Sequence, residues 1–209
     1  MPTLDTALTF FGLALLLCYS PGPDNVFVLM QSAAHGRRAG VLVVLGLCTG
    51  LLLHTAALAL GLAAVFAASA VAFTVVKLVG AAYLLYLAWG AWRAPVSAGG
   101  AGPALPALSP WQLYARGVVM NITNPKVLLF FMALLPQFVV PAQGPVALQL
   151  LALGGIFMLA TLIAFGSIAW LAGFFAQVLR ESVRAQRWLN RVSALVFAGL
   201  ALRLATTSR

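Results

Sequence analysis

Residues 18–26 read Cys-Tyr-Ser-Pro-Gly-Pro-Asp-Asn-Val, and residues 121–127 read Asn-Ile-Thr-Asn-Pro-Lys-Val. Each stretch sets a helix breaker beside a charged side chain, and each lies inside a long apolar run, at about 6–33 and 113–138. Pro21 and Pro23 remove two backbone donors, and Gly22 permits a sharp turn of the chain. Ser20 is expected to cap the next helix, with Pro23 at its first position. Asn124 has the N-cap preference, and Pro125 stands behind it at the first helical position. Both runs are therefore predicted to split into half-helices that begin inside the apolar layer. The free N–H groups and partial positive charge at such a start suit an anion.

The rest of the chain says what the apolar layer is. Of 209 residues, 63% are apolar and only 7% charged, with a mean hydropathy of +1.05. An ordinary soluble domain is about 25% charged. Twelve basic and three acidic side chains cannot cover a water-facing surface, so a soluble fold is excluded. The net charge of +9 does not point to nucleic acid, because the basic residues are scattered among apolar runs. The N-terminus, Met1 to Asp5, has no basic n-region, so the first apolar run is expected to be kept.

A spanning helix takes about 20 apolar residues. Runs near 6–33, 41–66, 71–92, 113–138, 147–176 and 188–206 meet that length, which predicts an all-α integral membrane protein with six transmembrane helices. Residues 94–110, rich in Ala, Gly, Pro and Ser, read as a flexible linker between two halves, 1–93 and 111–209. Three spans per half make the second half run inverted, so the expected architecture is two inverted three-helix repeats, the first helix of each broken mid-membrane. Arg37, Arg38, Arg93, Arg116, Arg180, Arg184, Arg187 and Arg191 fall on one side, against Arg203 and Arg209 on the other. The positive-inside rule then puts both termini outside. Trp89, Trp92, Trp111 and Tyr114 fit an interfacial belt on the basic side.

Of the three acids, Asp24 alone lies within a span. At the bilayer centre an acid costs about 2.5–3.5 kcal/mol or more, and such residues mark pathways. Asp24 is a candidate proton carrier or partner for a substrate cation, and a static capping role is the alternative. Lys126 lies about 12 residues from the outer end of its span, roughly 18 Å at the helical rise, too deep to snorkel comfortably. It is the candidate for a substrate carboxylate or for pairing with Asp24. Asn25, Asn121, Thr123 and Asn124 flank the two charges and could line the same cavity. Lys77 is near enough to the outer surface to snorkel, and His54 could relay protons or simply bond within a helix interface. Gly46 and Gly50 have the spacing that allows close helix approach. Cys18 and Cys48 sit in apolar runs and read as packing residues. No metal-ligand cluster, phosphate loop or nucleophile triad is visible, and no cofactor is implied.

The stretches SPGPDNVFVLMQSAAHGRRAG (20–40), VVKLVGAAYLLYLAWGAWR (75–93) and NPKVLLFFMALLPQF (124–138) resemble the LysE/RhtB family of bacterial amino-acid exporters. The resemblance runs from end to end, linker and six segments included. It implies efflux of amino acids or their derivatives across the bacterial inner membrane, energised by the proton-motive force, by a protein that is not an enzyme. The family's motif positions fall on Pro21, Gly22, Pro23, Asp24, Asn124, Pro125, Lys126 and Lys77. With one acid among the spans, a neutral substrate such as threonine, homoserine or leucine fits better than a cationic one. Expected partners are the amino acid, protons and the lipid bilayer, with a homodimer open. A membrane thiol-disulfide carrier would need paired cysteines at the two breaks, and a scaffold would not need Asp24 and Lys126 there.

Overall fold

The computed structural model describes residues 1–62, 70–96 and 107–206, and every regular element among them is helical. In chain order these are α1 (Leu4–Tyr19), α2 (Pro23–His35), α3 (Arg37–Ala57), α4 (Ala70–Arg93), α5 (Pro110–Thr123), α6 (Pro125–Leu129), α7 (Val146–Trp170), α8 (Ala172–Glu181) and α9 (Val183–Thr206). A wide π turn, Leu58–Leu62, continues α3, and a second one, Phe130–Leu134, continues α6.

Three helices, Arg37–Gly61, Val146–Trp170 and Val183–Thr206, are each long and apolar enough to cross a bilayer. Two bent pairs bring that number, among the described residues, to as many as five. Leu4–Tyr19 and Pro23–His35 meet at 65°, and Pro110–Thr123 and Pro125–Phe138 at 48°. Both predicted breaks are therefore present as bends. The third predicted span corresponds to α4, 24 residues long. Most of the linker, 97–106, lies outside the described residues. Its far end is ordered by a reciprocal cap, in which Ser109 Oγ accepts from Gln112 N and Gln112 Oε1 accepts from Ser109 N.

Three boundaries differ from the sequence reading. The fifth span is expected to run to 176, but α7 stops at Trp170, where Leu171 leaves helical geometry (φ −98°, ψ 15°), and α8 starts afresh. Apolar composition is blind to such an interruption. The second span begins at Arg37, directly after a tight turn at Gly36, whose φ of 84° suits glycine. The sixth begins at Val183, ahead of the expected 188. It carries Arg184, Arg187 and Arg191 in its first turns, so a count of apolar residues misses them.

The helices pack across the two halves of the chain. α3 packs most extensively on α5, α4 on α9, and α1 and α3 both pack on α7. The α3–α5 crossing has a clear cause in Gly46, Gly50 and Gly117. A Cβ at Gly46 would run into Tyr114 O and Gly117 Cα, and one at Gly117 would run into Val43 O. A Cβ at Gly50 would stand 2.6 Å from Asn121 Cβ. The backbones touch directly, as small-residue spacing allows. Around Phe10 gathers an aromatic cluster, with Phe130 at 5.8 Å and Phe138 at 5.1 Å between ring centroids. Phe157 lies 5.1 Å from Phe130 and 5.4 Å from Phe131. All except Phe138 are at most 2% exposed, and each such ring buries about 150–250 Å².

Candidate functional site

In an uninterrupted helix the N–H of residue i satisfies the carbonyl of residue i−4. Pro21 cannot serve Leu17 O, and the bend takes residues 22 and 24 away from Cys18 O and Ser20 O. In a membrane such orphaned carbonyls need partners from the protein. Lys126 Nζ donates to Leu17 O at 3.3 Å and to Ser20 O at 3.2 Å, and Asn25 Nδ2 donates to Cys18 O at 2.6 Å. The third contact of the Lys126 ammonium is the Asp24 carboxylate, Nζ to Oδ1 3.7 Å, with both side chains about 5% exposed or less. A cation is thereby seated at the negative end of α1 and beside the one buried acid among the described residues.

The second break is built on the first. Asn124 Oδ1 accepts from Lys126 N at 3.0 Å, which makes it the expected N-cap of α6. Its Nδ2 donates to Asp24 Oδ2 at 3.1 Å, so one side chain caps α6 and ties it to α2 across 100 residues of sequence. Asp24 Oδ1 accepts from Asn25 N at 3.1 Å. The start of α6 is thus capped by Asn124, whereas that of α2 has Gly22 as N-cap and no side-chain cap, with Asp24 Oδ1 taking only the Asn25 N–H. Ser20 departs from expectation. It ends α1, with its hydroxyl donating to Leu16 O at 2.9 Å, while Gly22 is the N-cap of α2. The bend points Ser20 back along α1.

Gly22 is extended (φ −156°, ψ 173°), a conformation open to any residue. Its importance is spatial. A Cβ there would lie 2.7 Å from Asp24 Oδ1, 3.1 Å from Lys126 Nζ and 3.5 Å from Asn25 Oδ1. Three polar groups converge on the face of one glycine. A cavity of about 10 Å³, the scale of one water molecule, lies against Asp24, Lys126, Asn121, Cys18, Thr161 and Phe157. The space is too small for an organic solute.

Of the remaining candidates, Asn121 lines the cavity with its Oδ1 buried and unpartnered. Thr123 does not join the site. It is exposed, and its hydroxyl donates back to Val119 O at 2.8 Å. His54 Nε2 lies 3.4 Å from Asn121 O, and its ring lies tilted against Phe131 with centroids 5.7 Å apart. That is a helix-interface position one residue removed from the cavity. Pro125 starts α6 from an exposed position. The backbone of Lys77 belongs to α4, and its side chain lies outside the described residues. Cys18 and Cys48 are both free and buried, and Cys18 Sγ lies 3.5 Å from Thr161 Oγ1.

Sequence reasoning missed Thr161, Gln31 and Ser32. Thr161 lies on the cavity wall, and Gln31 Oε1 and Ser32 Oγ are buried without partners on α2. The available signal was an uncharged polar residue inside a predicted span, but which of these face inward depends on helix rotation.

A family profile described as LysE type translocator matches residues 7–208. This chain belongs to that family. Among relatives of the translocator is the homoserine/homoserine lactone efflux protein of Salmonella typhimurium, 33% identical over 93% of each chain. Uncharacterised membrane proteins of Bacillus subtilis (27% identical, over 96% of this chain and 98% of theirs) and of Vibrio cholerae (32%, over 95% and 96%) are similar along their whole lengths. No solved structure matches the chain. The translocator is accordingly an integral membrane protein whose cargo is a small molecule.

Proposed function

We propose that this translocator exports amino acids or their derivatives, neutral ones above all, across the bacterial cytoplasmic membrane in exchange for entering protons. The observation that carries this reading is the buried Asp24–Lys126 pair at the meeting of two broken helices. Removing one partner of a buried pair costs about 3–5 kcal/mol, because the other is left uncompensated. A zwitterionic amino acid avoids that cost. Its ammonium replaces Lys126 beside Asp24, and its carboxylate replaces Asp24 beside Lys126, charge for charge. A purely cationic substrate leaves Lys126 facing a second cation. The name of the Salmonella relative, a homoserine/homoserine lactone efflux protein, supports this class through homoserine, a neutral zwitterion.

Proton coupling follows from the same exchange. A proton arriving from outside neutralises Asp24, which frees the substrate ammonium for release there. Loss of that proton to the inside lets Asp24 and Lys126 pair again. Asn25, Asn121 and Asn124 surround the exchange as neutral donors and acceptors. The buried phenyl cluster of Phe10, Phe130 and Phe157 is the barrier to be parted for release.

We read the halves 1–93 and 111–209 as inverted three-helix repeats, six spans in all, with both termini outside. The matching bends support this, as does the stacking of Arg37 on Trp170 at 4.3 Å and of Arg93 on Trp89 at 4.0 Å, cation–aromatic pairs suited to the cytoplasmic interface. The test is uptake of a labelled amino-acid panel into inside-out vesicles with and without a proton gradient. Gradient-dependent accumulation of neutral amino acids is expected for the natural sequence, and loss of the gradient response for Asp24→Asn. Undiminished coupling in Asp24→Asn removes Asp24 from the mechanism.

A further inference from the structure

Beside the first break lies a groove of about 140 Å³, walled by Tyr19, Pro21, Asn25, Val26, Leu29, Ile168 and Leu189. Except for Asn25 and the Tyr19 hydroxyl, which bonds Ser167 Oγ at 3.0 Å, these walls are apolar. Asn25 belongs to both places. It lines the groove, its backbone N–H bonds Asp24, and its buried Oδ1 has no partner and borders the space over Gly22 where Asp24 and Lys126 converge. The Asn25 side chain thus stands between the groove and the charged pair, and the two join only when it moves. The groove runs along α2 from the break toward Leu29, which is the side the arginine count reads as cytoplasmic.

We infer that this groove receives the side chain of the exported amino acid and selects an apolar group between isobutyl and benzyl in size. The inference rests on the efflux reading above and adds the substrate class. An apolar cavity of about 150 Å³ accepts benzene, so the groove takes the side chain of leucine or phenylalanine and leaves that of alanine loosely held. The polar end of the substrate then lies at Gly22, within reach of Asp24, Lys126 and the free carbonyl of Asn25. The two parts of the site differ in readiness. The groove is already formed, whereas the charged pair has to open. An apolar side chain can therefore dock first and bring the ammonium and carboxylate to the pair.

The test is export of labelled leucine, phenylalanine, alanine and homoserine in inside-out vesicles. The full-length protein is expected to favour leucine and phenylalanine over alanine by about tenfold or more, the lower end of the discrimination a single apolar carbon provides. Ile168→Phe fills the groove and lowers the leucine-to-alanine ratio about tenfold. Leu29→Ala enlarges it and raises phenylalanine relative to leucine, which serves as the reading if Ile168→Phe does not fold. If both ratios stay unchanged, lipid or a second copy of the chain occupies the groove and the assignment is overturned while efflux stands. If no amino acid is exported, the efflux reading fails and this inference falls with it.

Discussion

Gly22→Ala is the most economical perturbation of the site, because it adds one methyl group and leaves every charge in place. The extended backbone at Gly22 accepts alanine without strain, so any effect comes from space alone. The new methyl stands 2.7 Å from Asp24 Oδ1, whereas ordinary contact begins near 3.4 Å. The carboxylate must retreat by about 0.7 Å, the difference of those two distances. It has little room to do so, since Oδ1 also accepts from Asn25 N and Oδ2 from Asn124 Nδ2. The Asp24–Lys126 contact, already 3.7 Å, opens further. Overpacking of this kind costs about 1–3 kcal/mol. We expect a melting temperature in detergent lower by about 2–4 °C per kcal/mol lost, and export at least about tenfold slower, because the methyl occupies the place where the substrate's charges enter. Gly12→Ala is the control. A Cβ there meets nothing within 4 Å, and in a helix alanine is favoured over glycine by roughly 0.5–1 kcal/mol. If Gly22→Ala matches Gly12→Ala in both melting and export, the space over Gly22 is not part of the site.

Asp24→Asn and Lys126→Gln are each expected to lower stability by about 3–5 kcal/mol, and the double variant by less than the sum. A double-mutant cycle by thermal unfolding that showed plain additivity would falsify the coupling of the two charges. Gly46→Ala drives a methyl into Tyr114 O and should cost about 1–3 kcal/mol, while Gly155→Ala, with nothing within 4 Å, should not destabilise. Equal melting of these two variants contradicts the close α3–α5 crossing. Phe157→Ala empties a fully packed position beside the cavity and should cost about 3–5 kcal/mol; a loss below about 1 kcal/mol means the phenyl cluster is not tightly packed. Thr123→Ala removes only an exposed back-bond to Val119 O. It should leave export unchanged and stability within about 0.5 kcal/mol, and a tenfold loss of export returns Thr123 to the site.

Much of this protein is determined by its sequence alone, and for a simple reason. Hydropathy and helix breakers act locally, so the membrane class, the apolar runs and the two interruptions are all legible without knowing what touches what. The scarcity of charge likewise singles out Asp24 and Lys126, since a membrane tolerates few ionised groups and those few are seldom idle. Composition failed where a helix is interrupted without a proline, at Leu171, and where a helix begins among arginines, at Val183.

The pairing of distant parts was decided only in the tertiary structure. That Lys126 serves the carbonyls of Leu17 and Ser20 depends on how one broken helix lies across another. Helix rotation turns Asn121 into the cavity and leaves Thr123 outside, two residues away on the same helix. Packing likewise makes Gly22 matter for its missing side chain rather than for its backbone. Each of these is a relation between surfaces, set by which faces of α1, α2, α5 and α7 meet, and a linear pattern of residues carries no direct record of it.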